Sequence, residues 1–204
     1  MAKSGGRVQR DTAAAILDAA VALFFEQGYR ATTLRQIADE VGVQVGSLYN
    51  YISSKERLLY DIMRGIMVDI CQGIEAELAG VDDPLEQIHR FMRYSVMFHG
   101  ERQRETFIGN TELRSLTARR RKAIVDLRDR YQSLLQTPLE RAVASGQVDV
   151  PNAHLATFSG LAICSHVATW YKPGGPMSLE QLADEICATY APLAHIRPEP
   201  AQAS

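Results

Sequence analysis

Apolar positions in this chain recur three and four residues apart. Nowhere do Val, Ile or Thr alternate with polar residues over the length of a strand. From Asp11 to Gln27, the side chains of Ile16, Ala20, Leu23 and Phe24 share one helical face, and Gly28 ends the run. The same period predicts helices over 34–41, 45–51, 54–79, 83–100, 104–115, 118–145, 152–171 and 179–195. Starts are marked by capping boxes at Thr33/Gln36, Ser53/Glu56 and Ser178/Gln181, and by Asp83 followed by Pro84. The pattern is all-α. A domain of residues 1–52 precedes a larger one of 53–195, and "RPEPAQAS" within 196–204 reads as a flexible tail.

The stretch "TTLRQIADEVGVQVGSLYNYISSKERLL" (Thr32–Leu59) places a second helix of seven residues directly after Gly42. Ile37, Ala38, Val43 and Leu48 supply the apolar faces that would join the two. Helix, glycine turn and short second helix make a helix-turn-helix, whose second member needs only to reach a major groove. Gly46 and Ser47 keep its leading edge thin. Tyr49, Asn50, Tyr51 and Lys55 carry donors suited to phosphate oxygens, and Thr33 stands at a helix start that favours an anion. Taken singly, the two tyrosines also read as core aromatics and Lys55 as a solvated cap. Together, at this spacing, they read as a DNA reader.

Charge adds little. The net charge of −2 divides into +1 over residues 1–60 and −3 over the rest. The basic arm of Lys3, Arg7 and Arg10 makes Arg7 a further DNA candidate. No run of about 18 apolar residues suggests a membrane span, and the N-terminus lacks the apolar stretch of a secretory signal. Cys71, Cys164 and Cys187 are far apart in helical patterns, which reads as reduced core thiols in a cytoplasmic protein.

The Thr32–Leu59 motif and "ILDAAVALFFEQGYRATT" before it resemble the DNA-binding signature of TetR-type transcriptional repressors, over about residues 10–60. The resemblance implies a three-helix reader with phosphate contacts at Thr33, Tyr49, Asn50 and Lys55, and Gln44, Val45, Gly46 and Ser47 at the base edges. Two residues depart from the common pattern. Gln44 stands where a small hydroxyl residue is frequent, and can pair bidentately with adenine. Asn50 stands where histidine is frequent, and donates without charge.

"NTELRSLTARRRKAIVDLRDRY" and "TWYKPGGPMSLEQLADE" are similar to the regulatory domain of TetR-type repressors of fatty-acid, sterol and related acyl-CoA catabolism, over about residues 85–190. That implies a homodimer and an acyl-CoA or similar amphipathic effector. Helix 152–171 carries a stripe of small residues, Ala156, Gly160, Cys164 and Ala168, and helix 179–195 an apolar face with Leu182, Ile186 and Tyr190. Two such helices from each chain would build a four-helix interface, or both stripes pack within one chain.

Candidate ligand residues are Phe91, Met92, Ser95, Val96 and His99 on helix 83–100, with Arg114, His166 and Trp170. Met and aromatic side chains suit an apolar pocket, and equally a plain core. The cations of Arg119 to Lys122 suit coenzyme phosphates, or solvent. Nothing calls for a cofactor or a metal: the five histidines lack ligand spacing, and no nucleophile or phosphate-loop motif occurs. The expected protein is therefore a ligand-responsive, homodimeric repressor that binds operator DNA and is not an enzyme. A small aromatic or drug-like effector is the alternative, and a helical ligand carrier that does not bind DNA a more distant one.

Overall fold

The computed structural model describes the backbone of residues 4–193 and the side chains of residues 12–191. Among the described residues there is no strand. The helices are α1 (Ser4–Gln27), α2 (Leu34–Val41), α3 (Val45–Leu48), α4 (Lys55–Leu78), α5 (Pro84–Glu101), α6 (Gln103–Thr111), α7 (Ala118–Ala144), α8 (Ala153–Trp170) and α9 (Leu179–Leu193), with a 3₁₀ turn at Leu113–Ser115.

Local capping explains most of the boundaries. Thr33 and Gln36 close a reciprocal box on α2: the Thr33 hydroxyl accepts the Gln36 N–H at 3.2 Å, and Gln36 Oε1 accepts the Thr33 N–H at 2.8 Å. Ser178 and Gln181 do the same for α9. Asp83 accepts the Glu86 N–H at 3.0 Å ahead of Pro84. The box expected at Ser53/Glu56 does not form. Ser54 caps α4 by accepting the Arg57 N–H at 3.0 Å, and the Glu56 carboxylate turns to Thr117 and Arg120 instead.

Three elements differ from the sequence pattern in length. α1 begins at Ser4, seven residues ahead of the apolar pattern, over a stretch in which no proline interrupts it. α3 stops at Leu48: the Asn50 and Tyr51 N–H groups bond only three residues back, to Ser47 and Leu48, so the chain tightens into turns. α6 ends at Thr111, and Glu112 (φ −102, ψ 10) leaves helical geometry before the 3₁₀ turn.

Packing divides the chain into two compact units, residues 1–66 with 104–125, and residues 67–103 with 126–204. The expected division after residue 52 follows roles along the chain; the packing division follows contacts. α4 and α7 therefore each contribute to both units. In the first unit Ile16, Ala20 and Phe24 of α1 pack with Ile37, Ala38, Leu48, Leu58 and Leu59, all buried. In the second, Ile70, Ile74, Phe91, Met92, Tyr131, Leu135, Cys164 and Tyr190 form the interior. The three thiols are free and buried, and burial pushes Cys71 and Cys187 up to about 11.

Candidate functional site

The reader is built around one turn. Gly42 adopts φ 73, a left-handed conformation that a side chain would strain. Its N–H reaches the Ala38 and Asp39 carbonyls, and the Val43 N–H bonds to Ala38 O at 2.9 Å, so α2 ends cleanly and the chain reverses. α3 is too short to be stable alone. Leu48, fully buried, anchors it against the first unit's core. What remains outward is Gln44, Gly46, Ser47, Tyr49 and Asn50, with Val45 and Tyr51 half-buried. Tyr49 is 56% exposed, a large aromatic with no packing reason to be there. Gln44 occupies the N-cap position of α3 without making a cap hydrogen bond, which leaves its amide free to address a base edge. An open cleft of about 600 Å³ in front of the turn is lined by Arg35, Asp39, Gly42, Val43, Gln44 and Val45.

Two expected phosphate contacts are otherwise engaged. The Thr33 hydroxyl is held by Gln36 in the capping box. The Lys55 ammonium donates to the carbonyls of Tyr29 at 2.8 Å, Thr32 at 2.7 Å and Arg30 at 3.4 Å, and lies 4.4 Å from the Tyr29 ring centroid. Desolvation lowers its pKa, partly offset by Glu112. Lys55 thus ties the start of α4 to the α1–α2 loop. Arg7 falls outside the residues whose side chains are described.

The eight candidate ligand residues fall in different surroundings, each within its own unit. Phe91, Ser95, Val96 and His99 are buried in the interior of the second unit, and Met92 is buried at its edge. The Phe91 ring stacks on Tyr131 at 5.2 Å, Cys164 packs on the Met92 sulfur at 3.7 Å, and His99 Nε2 meets the Tyr131 hydroxyl at 3.4 Å. Burial lowers His99 to about 4, so its ring is neutral at pH 7. His166 and Trp170 sit on the solvent face of α8, and Arg114 is an exposed residue of the first unit. A groove of about 270 Å³ that the sequence reading missed runs between α5 and α9, lined by Leu85, Ile88, His89, Met92, Cys187 and Tyr190 among others. The spacing of Leu85, Ile88, His89 and Met92 at three and four residues was its only local signal.

Most of the small-residue stripe is covered from within the chain, one of the two packings open to it. A β-carbon on Gly160 would meet Leu135 and Tyr190 of the same chain at 3.1 Å. Cys164, Ala168, Leu182 and Tyr190 are buried, Ala156 and Ile186 half-buried, and the Tyr190 hydroxyl donates to Ala156 O at 3.0 Å. The Tyr190 ring and Leu135 cover Gly160, so the room left by the small residues is filled by side chains of the same chain. The face of α8 left to solvent carries Leu155 (64% exposed), Phe158 (47%) and Trp170 (50%).

Comparison with known proteins decides the family. The profile of bacterial regulatory proteins of the tetR family matches residues 16–62, and that of the tetracyclin repressor-like C-terminal domain matches residues 81–191. The chain belongs to the tetR family. It is 31% identical over 189 residues, 90% of this chain and 88% of the other, to the HTH-type transcriptional repressor KstR2 of Rhodococcus jostii. The ketosteroid transcriptional regulator KstR2 of Mycobacterium tuberculosis superposes with a TM-score of 0.83 at 25% identity, over 92% of this chain and 95% of that one. AibR, crystallised with isovaleryl coenzyme A and operator DNA, superposes with a TM-score of 0.80 at 26% identity, over 87% and 97%. The chain is thus a DNA-binding transcription regulator of this family. Among its described residues no helix is long and apolar enough to cross a membrane.

Proposed function

We propose that this regulator is a homodimeric repressor released from its operator by an acyl-CoA or a similar amphipathic anion. The observation that carries the reading is the outward edge Gln44, Gly46, Ser47, Tyr49 and Asn50 on a helix anchored by Leu48. Gln44, Val45, Gly46 and Ser47 address bases; Tyr49, Asn50, Tyr51 and the Thr33 helix start address phosphates, with Arg7 in the arm ahead of them. Residues 1–52 hold the reader and 53–195 the regulatory part.

A second copy is needed because a reader of this class addresses two half-sites about 34–36 Å apart. The exposed apolar side chains Leu155, Phe158 and Trp170 on α8 support an interface on that face. The acyl-CoA class is supported by the isovaleryl coenzyme A bound to AibR. Effector binding needs to favour the DNA-incompetent form by only about 1–3 kcal/mol to matter. A small apolar effector is the second reading, favoured by the modest groove beside His89 and Met92.

The test is fluorescence anisotropy of the purified protein on the intergenic DNA beside its gene, over a salt series, followed by titration with acyl-CoAs of graded length and with small aromatic compounds. Release by acyl-CoA supports the reading. Release by aromatics alone transfers it to the second, and an absence of salt-dependent DNA binding overturns both.

A further inference from the structure

A cleft of about 600 Å³ in the first unit opens between the first turns of α4 and α7. Glu56, Arg57, Tyr60, Thr117, Arg119 and Arg120 line it. Its volume is within the roughly 300–1,000 Å³ usual for small-molecule sites. Three guanidinium groups face one cavity, and two of them, Arg57 and Arg120, each lie 5.7 Å from the Tyr60 ring centroid.

One carboxylate occupies the centre of this cluster. Glu56 Oε1 accepts the Thr117 backbone N–H at 3.0 Å and the Thr117 hydroxyl at 3.1 Å, and Oε2 accepts from the Arg120 guanidinium. Thr117 is the residue from which α7 starts, its carbonyl accepting the Arg121 N–H at 2.8 Å. In a capping box the third helical residue supplies the carboxylate that bonds the cap N–H. Here that residue is Arg120, so the carboxylate comes from α4. A backbone N–H at a helix start, a hydroxyl and a guanidinium form an anion receptor, and the chain fills it with its own anion.

We infer that this cleft is a binding site for a phosphate-bearing anion of the diphosphate class, which enters by displacing the Glu56 carboxylate from Thr117 and Arg120. A phosphate offers more acceptor oxygens than a carboxylate and engages Arg119 as well, while the Arg57 Nε stays on the Asp61 carboxylate at 2.8 and 2.9 Å. Displacement releases the turn of α4 that also carries Lys55, whose ammonium holds the α1–α2 loop. Anion binding thereby loosens the support of the reader from within the same unit. The inference rests on the effector-responsive reading above and supplies its site for the charged part of the effector.

Calorimetric titration of the full chain with inorganic pyrophosphate, and separately with coenzyme A lacking an acyl group, tests it at constant ionic strength. Two variants are compared with the parent, each checked for an unchanged helical spectrum. Arg119→Ala removes a cation that plays no part in holding Glu56, and should weaken either probe about tenfold or more. Glu56→Gln removes the competing charge and should tighten either probe by about tenfold. Tighter binding of coenzyme A than of pyrophosphate assigns the site to a nucleotide diphosphate; equal binding assigns it to free diphosphate. Failure of both probes to saturate the parent and Glu56→Gln, or affinities unchanged in both variants, overturns the site. Operator binding on the same samples separates this from the repressor reading: a parent that binds operator but neither probe loses the anion site and keeps its DNA.

Discussion

The helix-turn-helix and the α5/α7/α8 interior handle the same kinds of side chain in opposite ways. In the reader, Leu48 is buried so that Tyr49 and Asn50, its immediate neighbours, stand outward. In the second unit His99, Tyr131 and Thr157 are all drawn inside, His99 against the Tyr131 hydroxyl and Thr157 donating to Ala153 O. A surface that reads DNA needs polar groups in water until the moment of binding. A packed interior admits polar groups only when they are neutral and partnered. The difference teaches that a tyrosine or histidine in a helical pattern means nothing until the direction of its side chain is known.

Breaking the reader at its anchor should have the largest effect. Leu48→Ala removes a fully buried side chain and should cost about 2–5 kcal/mol. Operator binding should vanish while the far-ultraviolet helical signal largely persists. Retained operator affinity would show that α3 does not depend on the core beneath it.

Acid should act on the other region. His99 is held at about 4 by burial, whereas in the unfolded chain it titrates near 6.5. Between these values the unfolded state takes up a proton that the folded state refuses. Stability is therefore full above pH 6.5 and falls as pH drops towards 4, by about 3 kcal/mol in total. Urea midpoints measured across that range should fall in the parent and stay flatter in His99→Phe. Parallel curves for the two proteins would place the acid sensitivity elsewhere.

Lys55→Ala sharpens the comparison, since Lys55 is a half-buried reader residue whose ammonium is held by loop carbonyls. Loss of hydrogen bonds from a charged group to the Tyr29 and Thr32 carbonyls should cost about 1.5–3 kcal/mol. Operator affinity should fall with the salt slope unchanged. A slope reduced by about one unit would instead put the ammonium on a phosphate.

Gly160→Leu probes the seat of Leu135 and Tyr190 on α8 and should cost about 1–3 kcal/mol by overpacking against them. The loss should appear in the thermal midpoint at every protein concentration, because the clash is within one chain. A cost that disappears on dilution would move Gly160 to an interface. The smallest effect belongs to Tyr49→Phe, which removes one exposed hydroxyl: about 0.5–1.5 kcal/mol from DNA binding, equally on operator and random DNA, with no change in melting.

From the chain alone, the all-α class, the helix-turn-helix and most helix starts could be read, because each depends on neighbours within four residues. Gly42 takes the left-handed turn that its missing β-carbon permits, and Thr33/Gln36 or Asp83/Pro84 close their caps without outside help. The outward edge of α3 follows from the same local rule once Leu48 is buried. Only tertiary structure decided the rest. Glu56 lies three residues from Ser53, yet it bonds to Thr117 and Arg120, because a carboxylate gains more from an N–H, a hydroxyl and a guanidinium than from closing its own cap. The Gly160 stripe has the same spacing whether it packs on α9 of its own chain or on another, and spacing carries no information about which helix arrives. The direction of the Lys55 ammonium, and the cleft between α4 and α7, depend on residues 23 to 64 positions away in sequence. At that separation, side-chain periodicity has no reach.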